Sequence, residues 1–287
     1  MKRIDCFPYF NEKELLELRI KLLQDKVDLF VICDGNYTQS GIKKEYTCRE
    51  TLKQLGLNTN KVKVIEVNLP SVINEPNHWV REQMQRNAAA EFIDNNTIAI
   101  VSDCDEIIRP DLIDYYTWIA KQYPNNILRI PMAYLNCRAD LHVFETDGTP
   151  KKWDCAFLCM SNHIEKYTLS QIRESRAMKR NNISFNDIFI TDNNQVQNAG
   201  WHFSWMGKID LLKQKSLASM HVGDWVLYAI GQMGSPELFS FLDSYKPQEG
   251  STDPLGRQNH ILQKYPLNEL PSLIFDLPQV KEFLLPE

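Results

Sequence analysis

The first half of the chain switches repeatedly between two hydrophobic periods. Ile4 to Phe10 predicts a short strand. From Asn11 the period lengthens: Leu15, Leu18 and Leu22 fall on one face, with Leu16 and Leu23 beside them, which predicts a helix to about residue 25. Asn11 opens that helix, and Glu14 three residues on suggests a capping box. Leu29 to Cys33 is a continuous apolar run, the pattern of a strand buried on both faces. Glu45 to Leu55 predicts a second helix, Lys61 to Val67 a third strand, Trp79 to Phe92 a third helix and Thr97 to Val101 a fourth strand. Pro110 starts a helix ending near Gln122, and Ile127 to Tyr134 is a fifth strand. This βαβαβαβαβ order predicts an α/β fold, an open, mostly parallel sheet flanked by helices, with ligands bound outside the carboxyl ends of its strands.

The second half is less regular. Residues 141–160 hold two strand-like runs around the turn Thr146-Asp147-Gly148. Residues 181–200 are rich in Asn and Asp and read as a loop, 207–220 as a helix, and the proline-rich tail as short helices and turns. No repeat or low-complexity linker marks a second domain, so 287 residues are expected to form one.

Net charge of −5 and a pI near 5.8 argue against a duplex nucleic-acid binder with a broad basic face. No apolar run approaches the roughly 18–20 residues of a membrane span, and Met1 to Asp5 lacks a signal-peptide pattern. A cytoplasmic location is the expectation, and the sequons at Asn36, Asn95 and Asn182 are then incidental. The seven cysteines do not suggest a secreted disulfide framework. Cys155-x3-Cys159-x3-His163 lacks a fourth zinc ligand, and alternate strand positions explain the two thiols as small core residues.

Three nucleotide chemistries are conceivable on such a sheet. The dinucleotide fingerprint needs glycines at the first strand–helix turn, which here is Pro8-Tyr9-Phe10-Asn11-Glu12. The Walker loop, which needs four residues between its glycines, fails as well: Gly35 and Gly41 have five between them and Ile42-Lys43-Lys44 follows. A metal-assisted nucleotide-sugar site survives. Asp103-Cys104-Asp105 directly follows a buried strand, so both carboxylates lie at the ligand edge. Mn²⁺ or Mg²⁺ held there would bridge a diphosphate and stabilise it as a leaving group. An acidic turn capping the helix at Pro110 is the plainer alternative.

Several blocks together resemble glycosyltransferase family 17. They are Asp5-Cys6-Phe7-Pro8-Tyr9-Phe10-Asn11-Glu12 with Leu15 to Arg19, Phe30 to Asp34 with Thr38 and Gly41, Arg81-Glu82 with Gln85-Arg86-Asn87, Ser102 to Ile107 with Pro110, and Gly200-Trp201-His202-Phe203-Ser204-Trp205. The resemblance implies a GT-A fold over 1–287: a nucleotide-sugar half (1–135), an acceptor-side half (136–246) and a C-terminal wrapping segment (247–287). It also implies a UDP-sugar donor, typically UDP-N-acetylglucosamine, a glycan acceptor, a divalent metal and inversion at the anomeric carbon. Two departures are visible. The family's His-x-Glu pair is represented by His221 with Asp224 one residue later, and the anchor and stem of the animal enzymes do not appear in this sequence.

Within that frame Asp34 would contact uracil or ribose, or serve only its turn. Phe10 would stack on uracil, and Asn11 would contact donor or cap its helix. Arg81 and Arg86 would bind diphosphate oxygens, although Arg86 can instead pair with Glu82 four residues back. Asp103, Asp105 and His202 would hold the metal, His202 being equally explicable as a core histidine. The general base would be Asp224, Glu165 or Asp154, in that order. The alternative functions are a nucleotide-sugar or carbohydrate-binding protein on a degenerate transferase fold and, less consistent with the first turn, a nucleotidyltransferase.

Overall fold

A computed structural model describes residues 1–177, 185, 187–189, 198–218, 236, 240, 243–252 and 260–286. The predicted alternation is present: β1 (Lys2–Tyr9), α1 (Lys13–Leu23), β2 (Leu29–Gly35), α2 (Cys48–Gln54), β3 (Val62–Val67), α3 (His78–Asn87) with a 3₁₀ turn Ala88–Phe92, and β4 (Thr97–Val101). There follow β5 (Glu106–Ile108), α4 (Ile113–Gln122), β6 (Ile127–Arg129), β7 (Met132–Asn136), β8 (Arg138–Glu145), β9 (Lys152–Trp153) and β10 (Phe157–Met160). The described remainder holds α5 (Leu169–Ala177), β11 (Asp187–Phe189), β12 (Gly200–Ser204), α6 (Ile209–Ala218), β13 (His260–Lys264), α7 (Leu273–Asp276) and α8 (Pro278–Leu284).

The main sheet has the order β11-β6-β10-β4-β1-β2-β3. All its strands run one way except β10, which is antiparallel to both β4 and β6. Its central strands are apolar and buried on both faces, as their unbroken runs require. One face packs on α1, α4 and the C-terminal helices, the other on α3, the 3₁₀ turn and α5. A second sheet, β13-β8-β7-β12-β5 with β9 beside β7, is mixed. The two meet directly after β4, where Ser102 to Asp105 carries the chain from one sheet into the other. Among the described residues no helix is long and apolar enough to cross a membrane.

Three expectations change. The single strand over 127–134 is broken at Ile130-Pro131, because β6 belongs to the main sheet and β7 to the second. The tail contributes β13, paired antiparallel with β8, besides its short helices. Asn11 does not cap α1: its φ is 55°, its Oδ1 accepts from the Thr47 hydroxyl at 2.5 Å, and the helix begins at Lys13. All seven cysteines are free and buried; burial pushes the Cys159 thiol up to about 12.

Gly200 explains its own place in the Gly-Trp-His block. A Cβ there would lie 2.4 Å from the Ile107 carbonyl oxygen, so only glycine lets β12 close on β5. Gly200→Ala is expected to cost about 1–3 kcal/mol, because backbone rather than a flexible side chain must yield. Urea unfolding measures this, and an unchanged midpoint would contradict the close approach.

Candidate functional site at the junction of the two sheets

The site is built around the Asp103-Cys104-Asp105 turn. Its foundation is Arg19, which points from α1 under the turn and is fully buried. Nε and Nη2 donate to the two Asp5 carboxylate oxygens at 2.8 and 2.6 Å. Nη1 donates to the carbonyls of Asp103 and Glu106 at 2.7 and 2.8 Å, and Nη2 also donates to Ser102 Oγ at 2.6 Å. The guanidinium also lies 4.2 Å over the Phe7 ring. Cys104, buried, turns into the core and leaves the two flanking aspartates on the outer side.

A second layer of cations holds the carboxylates. Asp103 Oδ1 accepts from Arg86 at 2.8 Å and Oδ2 from Arg173 on α5 at 2.6 Å. Burial pushes its carboxyl up, but the two guanidiniums outweigh that and hold it well below the usual carboxylate range. Arg173 also grips buried Glu106 through both oxygens, at 2.6 and 2.8 Å, and Trp153 donates its indole N–H to the same carboxylate. Arg86 also donates to Glu82 at 2.6 Å, so the expected i,i+4 ion pair is present beside its contact with Asp103.

Asp105 is gripped differently. His202 and Lys215 reach it from one strand–turn–helix unit, β12 to α6, which bends through Trp205 at φ 55° and Gly207 at φ 102°. Lys215 Nζ lies 3.1 Å from Oδ2, and His202 Nε2 lies 3.7 Å from Oδ1, too far for a hydrogen bond. His202 stacks on Tyr134 and contacts Trp153. Burial lowers its pKa, so the ring is neutral at pH 7, and among the described residues its buried Nδ1 has no hydrogen-bond partner.

A cavity of about 150 Å³ opens beside these groups, lined by Tyr9, Phe10, Glu12, Tyr37, Thr38, Gln85, Asp103, Asp105 and Lys215 among others. That is room for a diphosphate, less than a whole nucleotide sugar needs. Glu12 keeps part of its surface accessible while its carboxyl is enclosed; Oε2 accepts from Phe10 N at 2.8 Å. Burial pushes Glu12 up to about 8, Lys215 opposing and Asp105 reinforcing the rise.

Among the described residues no three His, Cys, Asp or Glu side chains converge on one point as a metal cage. A smaller donor set is present. Neutral His202 and Asp105 Oδ1 face each other without bonding, a nitrogen and an oxygen that suit Mn²⁺ completed by phosphate and water ligands. Both Asp103 oxygens are already occupied by arginines, so Asp103 is an orienting group more than a direct ligand.

The other expected residues are dispersed. Phe10 lines the cavity, and exposed Asn11 lies at its rim beside the adjoining hollow. Asp34 is buried, accepting from Lys44 Nζ and from the backbone of Thr47 and Cys48, where it starts α2. Arg81 is buried beneath the 36–43 loop, donating to the Gln39 and Glu75 carbonyls at 2.8 and 2.5 Å. The antiparallel register of β10 puts Met160 opposite Ile98, so exposed Glu165 lies at the far edge of the sheet from Asp103 and drops out as a base. The same register leaves half-buried Asp154 on the site edge. His221 and Asp224 lie outside the described residues. Arg19, Arg173, Glu106, Lys215 and Glu12 have no site role in the sequence pattern alone, although Glu12, Arg19 and Glu106 stand inside the motif blocks.

Acidic groups at the carboxyl edge of parallel strands, backed by fixed guanidiniums and met by a second sheet, mark the ligand edge of an α/β domain. The chain belongs to glycosyltransferase family 17, whose model matches residues 1–221. Comparison with curated protein sequences gives no match. Among solved structures the chain is similar to S. aureus TarS, at 14% identity over 76% of this chain and 40% of that one, with a TM-score of 0.41. It is similar too to TarS 1–349 in complex with UDP-GlcNAc, at 13% identity over 76% and 67% of the two chains and a TM-score of 0.37. 4-Diphosphocytidyl-2C-methyl-D-erythritol synthase from Anaerococcus prevotii shows 7% identity over 66% and 89%, with a TM-score of 0.37. The chain spans only 37% and 40% of two of the TarS chains it matches.

Two outcomes follow from the ion pairs. Arg19→Met should cost about 3–5 kcal/mol, because Asp5 is left buried and unpaired; Arg19→Lys should recover only part, since an ammonium cannot span the same acceptors. Chemical denaturation reads both, and a neutral Arg19→Met would refute the foundation role. Glu12 gives a pH signature. Its folded pKa of about 8 exceeds the ordinary 4.5, so the folded state binds the proton more tightly and stability falls as pH rises from about 4.5 to about 8. Glu12→Gln should lose that contribution: relative to the variant, wild type should weaken across the window, and a constant difference would contradict the enclosed carboxyl.

Proposed function

We propose that this protein is a metal-dependent, inverting glycosyltransferase that moves N-acetylglucosamine from UDP-GlcNAc to a glycan hydroxyl. The observation that carries the reading is the placement of Asp103 and Asp105 at the sheet junction of a family 17 chain, one held by guanidiniums and the other open toward a neutral imidazole.

Each residue then has a task. Phe10 and Tyr37 wall the base end of the cavity. Arg86 and Arg173 keep Asp103 ionised and fixed, and add positive potential where the diphosphate's charge grows as it leaves. Asp105 and His202 would hold Mn²⁺ or Mg²⁺, which when bound supplies Lewis-acid stabilisation to the leaving group. The acceptor hydroxyl loses its proton to a carboxylate on the opposite side of the sugar, for which Asp154 is the described candidate and Asp224 the other. Asp34 and Arg81 shape the loop and helix that border the cavity without facing the donor.

Asp105→Asn tests the reading while keeping the side chain's size. Wild type with Mn²⁺ should bind UDP and slowly hydrolyse UDP-GlcNAc; the variant should lose Mn²⁺-dependent UDP affinity by tenfold or more, with unchanged circular dichroism. Calorimetric titration decides, and equal affinities with and without Mn²⁺ in both proteins would remove the metal from the proposal.

A further inference from the structure

The site cations differ in kind. Arg86 and Arg173 are nearly sealed from solvent, with side chains 2% and 7% exposed, and each makes more than one charge-assisted contact. Lys215 is 33% exposed, sits on a flexible four-carbon stem, and makes one contact with Asp105, at 3.1 Å. It also faces Glu12 and Asp103 across the same cavity. Its helix is positioned independently of that contact: the Ala218 carbonyl near the end of α6 accepts from Ser40 N at 3.0 Å, and Gly207 packs against Phe283 at its start. The ammonium can therefore leave Asp105 without releasing α6.

We propose that Lys215 is the exchangeable counter-ion of this site, neutralising Asp105 before substrate arrives and then moving its ammonium onto the donor's diphosphate. The inference rests on the nucleotide-diphosphate reading above. An ammonium is a compact charge with rotatable donors, suited to phosphate oxygens in more than one orientation. Left on Asp105 Oδ2, it stands a few ångströms from the point between Oδ1 and His202 where a divalent cation would bind, and repels it. A diphosphate draws the ammonium away and adds negative charge, so metal and diphosphate should bind cooperatively, each poorly alone.

Calorimetry on the full chain tests this with Mn²⁺ alone, UDP alone, UDP with Mn²⁺, and uridine with Mn²⁺, for wild type, Lys215→Met and Lys215→Arg. Lys215→Met should bind Mn²⁺ alone about tenfold more tightly than wild type and UDP about tenfold more weakly, with uridine unchanged. Lys215→Arg should restore most of the UDP affinity. A lysine that only tethers α6 would lower the melting temperature and leave the Mn²⁺ affinity and the UDP-to-uridine ratio at wild-type values, which would overturn the proposal. If wild type binds no UDP under any condition, the transferase reading fails and this inference with it; if wild type binds UDP and Lys215→Met matches it, the counter-ion role alone fails.

Discussion

Every donor of one guanidinium is committed beneath this site. Arg19 spends its five N–H groups on Asp5, Ser102 and the carbonyls of Asp103 and Glu106, inside a core that offers no water as a substitute. Such a buried charge is tolerated only when fully paired and hydrogen-bonded, since desolvation would otherwise cost several kcal/mol. The fold meets that condition by bringing β1, α1 and the end of β4 to one point. The backbone of the acidic turn is thereby tied from below, while Arg86 and Arg173 tie its first carboxylate from the sides.

The pattern above the turn is less rigid. Asp105 meets one side chain from a strand and one from a helix, delivered by a unit bent through two left-handed residues. Trp205 is a bulky residue in that region, a costly conformation maintained by its burial in the surrounding structure. The strongly paired half of the site holds position, and the half with longer contacts and an open cavity has room to accept ligand.

What could be read from the chain reflects the range over which each signal acts. The strands β2 and β4 were legible because burial on both faces leaves continuous apolar runs, and the acidic turn was legible because it follows one of them. The two-sheet construction was not, since β5 and β6 have three residues each and β7 follows β6 after two. Glu165 looked plausible only while the direction of β10 was unknown. The pairings Arg19–Asp5, Arg173–Asp103 and Lys215–Asp105 span 14, 70 and 110 positions, and an isolated sequence does not show which distant charges meet. Asp34 shows the opposite limit: a strand-end aspartate looks the same whether it awaits a ligand or already caps the next helix.

The passage of the chain between sheets has a consequence for how this motif can vary. Glu106 starts β5 opposite His202, and its side chain reaches Arg173 only in that register. Strand side chains alternate with a period of two, so adding or deleting one residue between Val101 and Glu106 would turn the β5 acid to the other face and break its pairing across β12. The acidic turn opens on a cavity as a surface loop does, yet it behaves as a spacer of fixed length, closed to insertion.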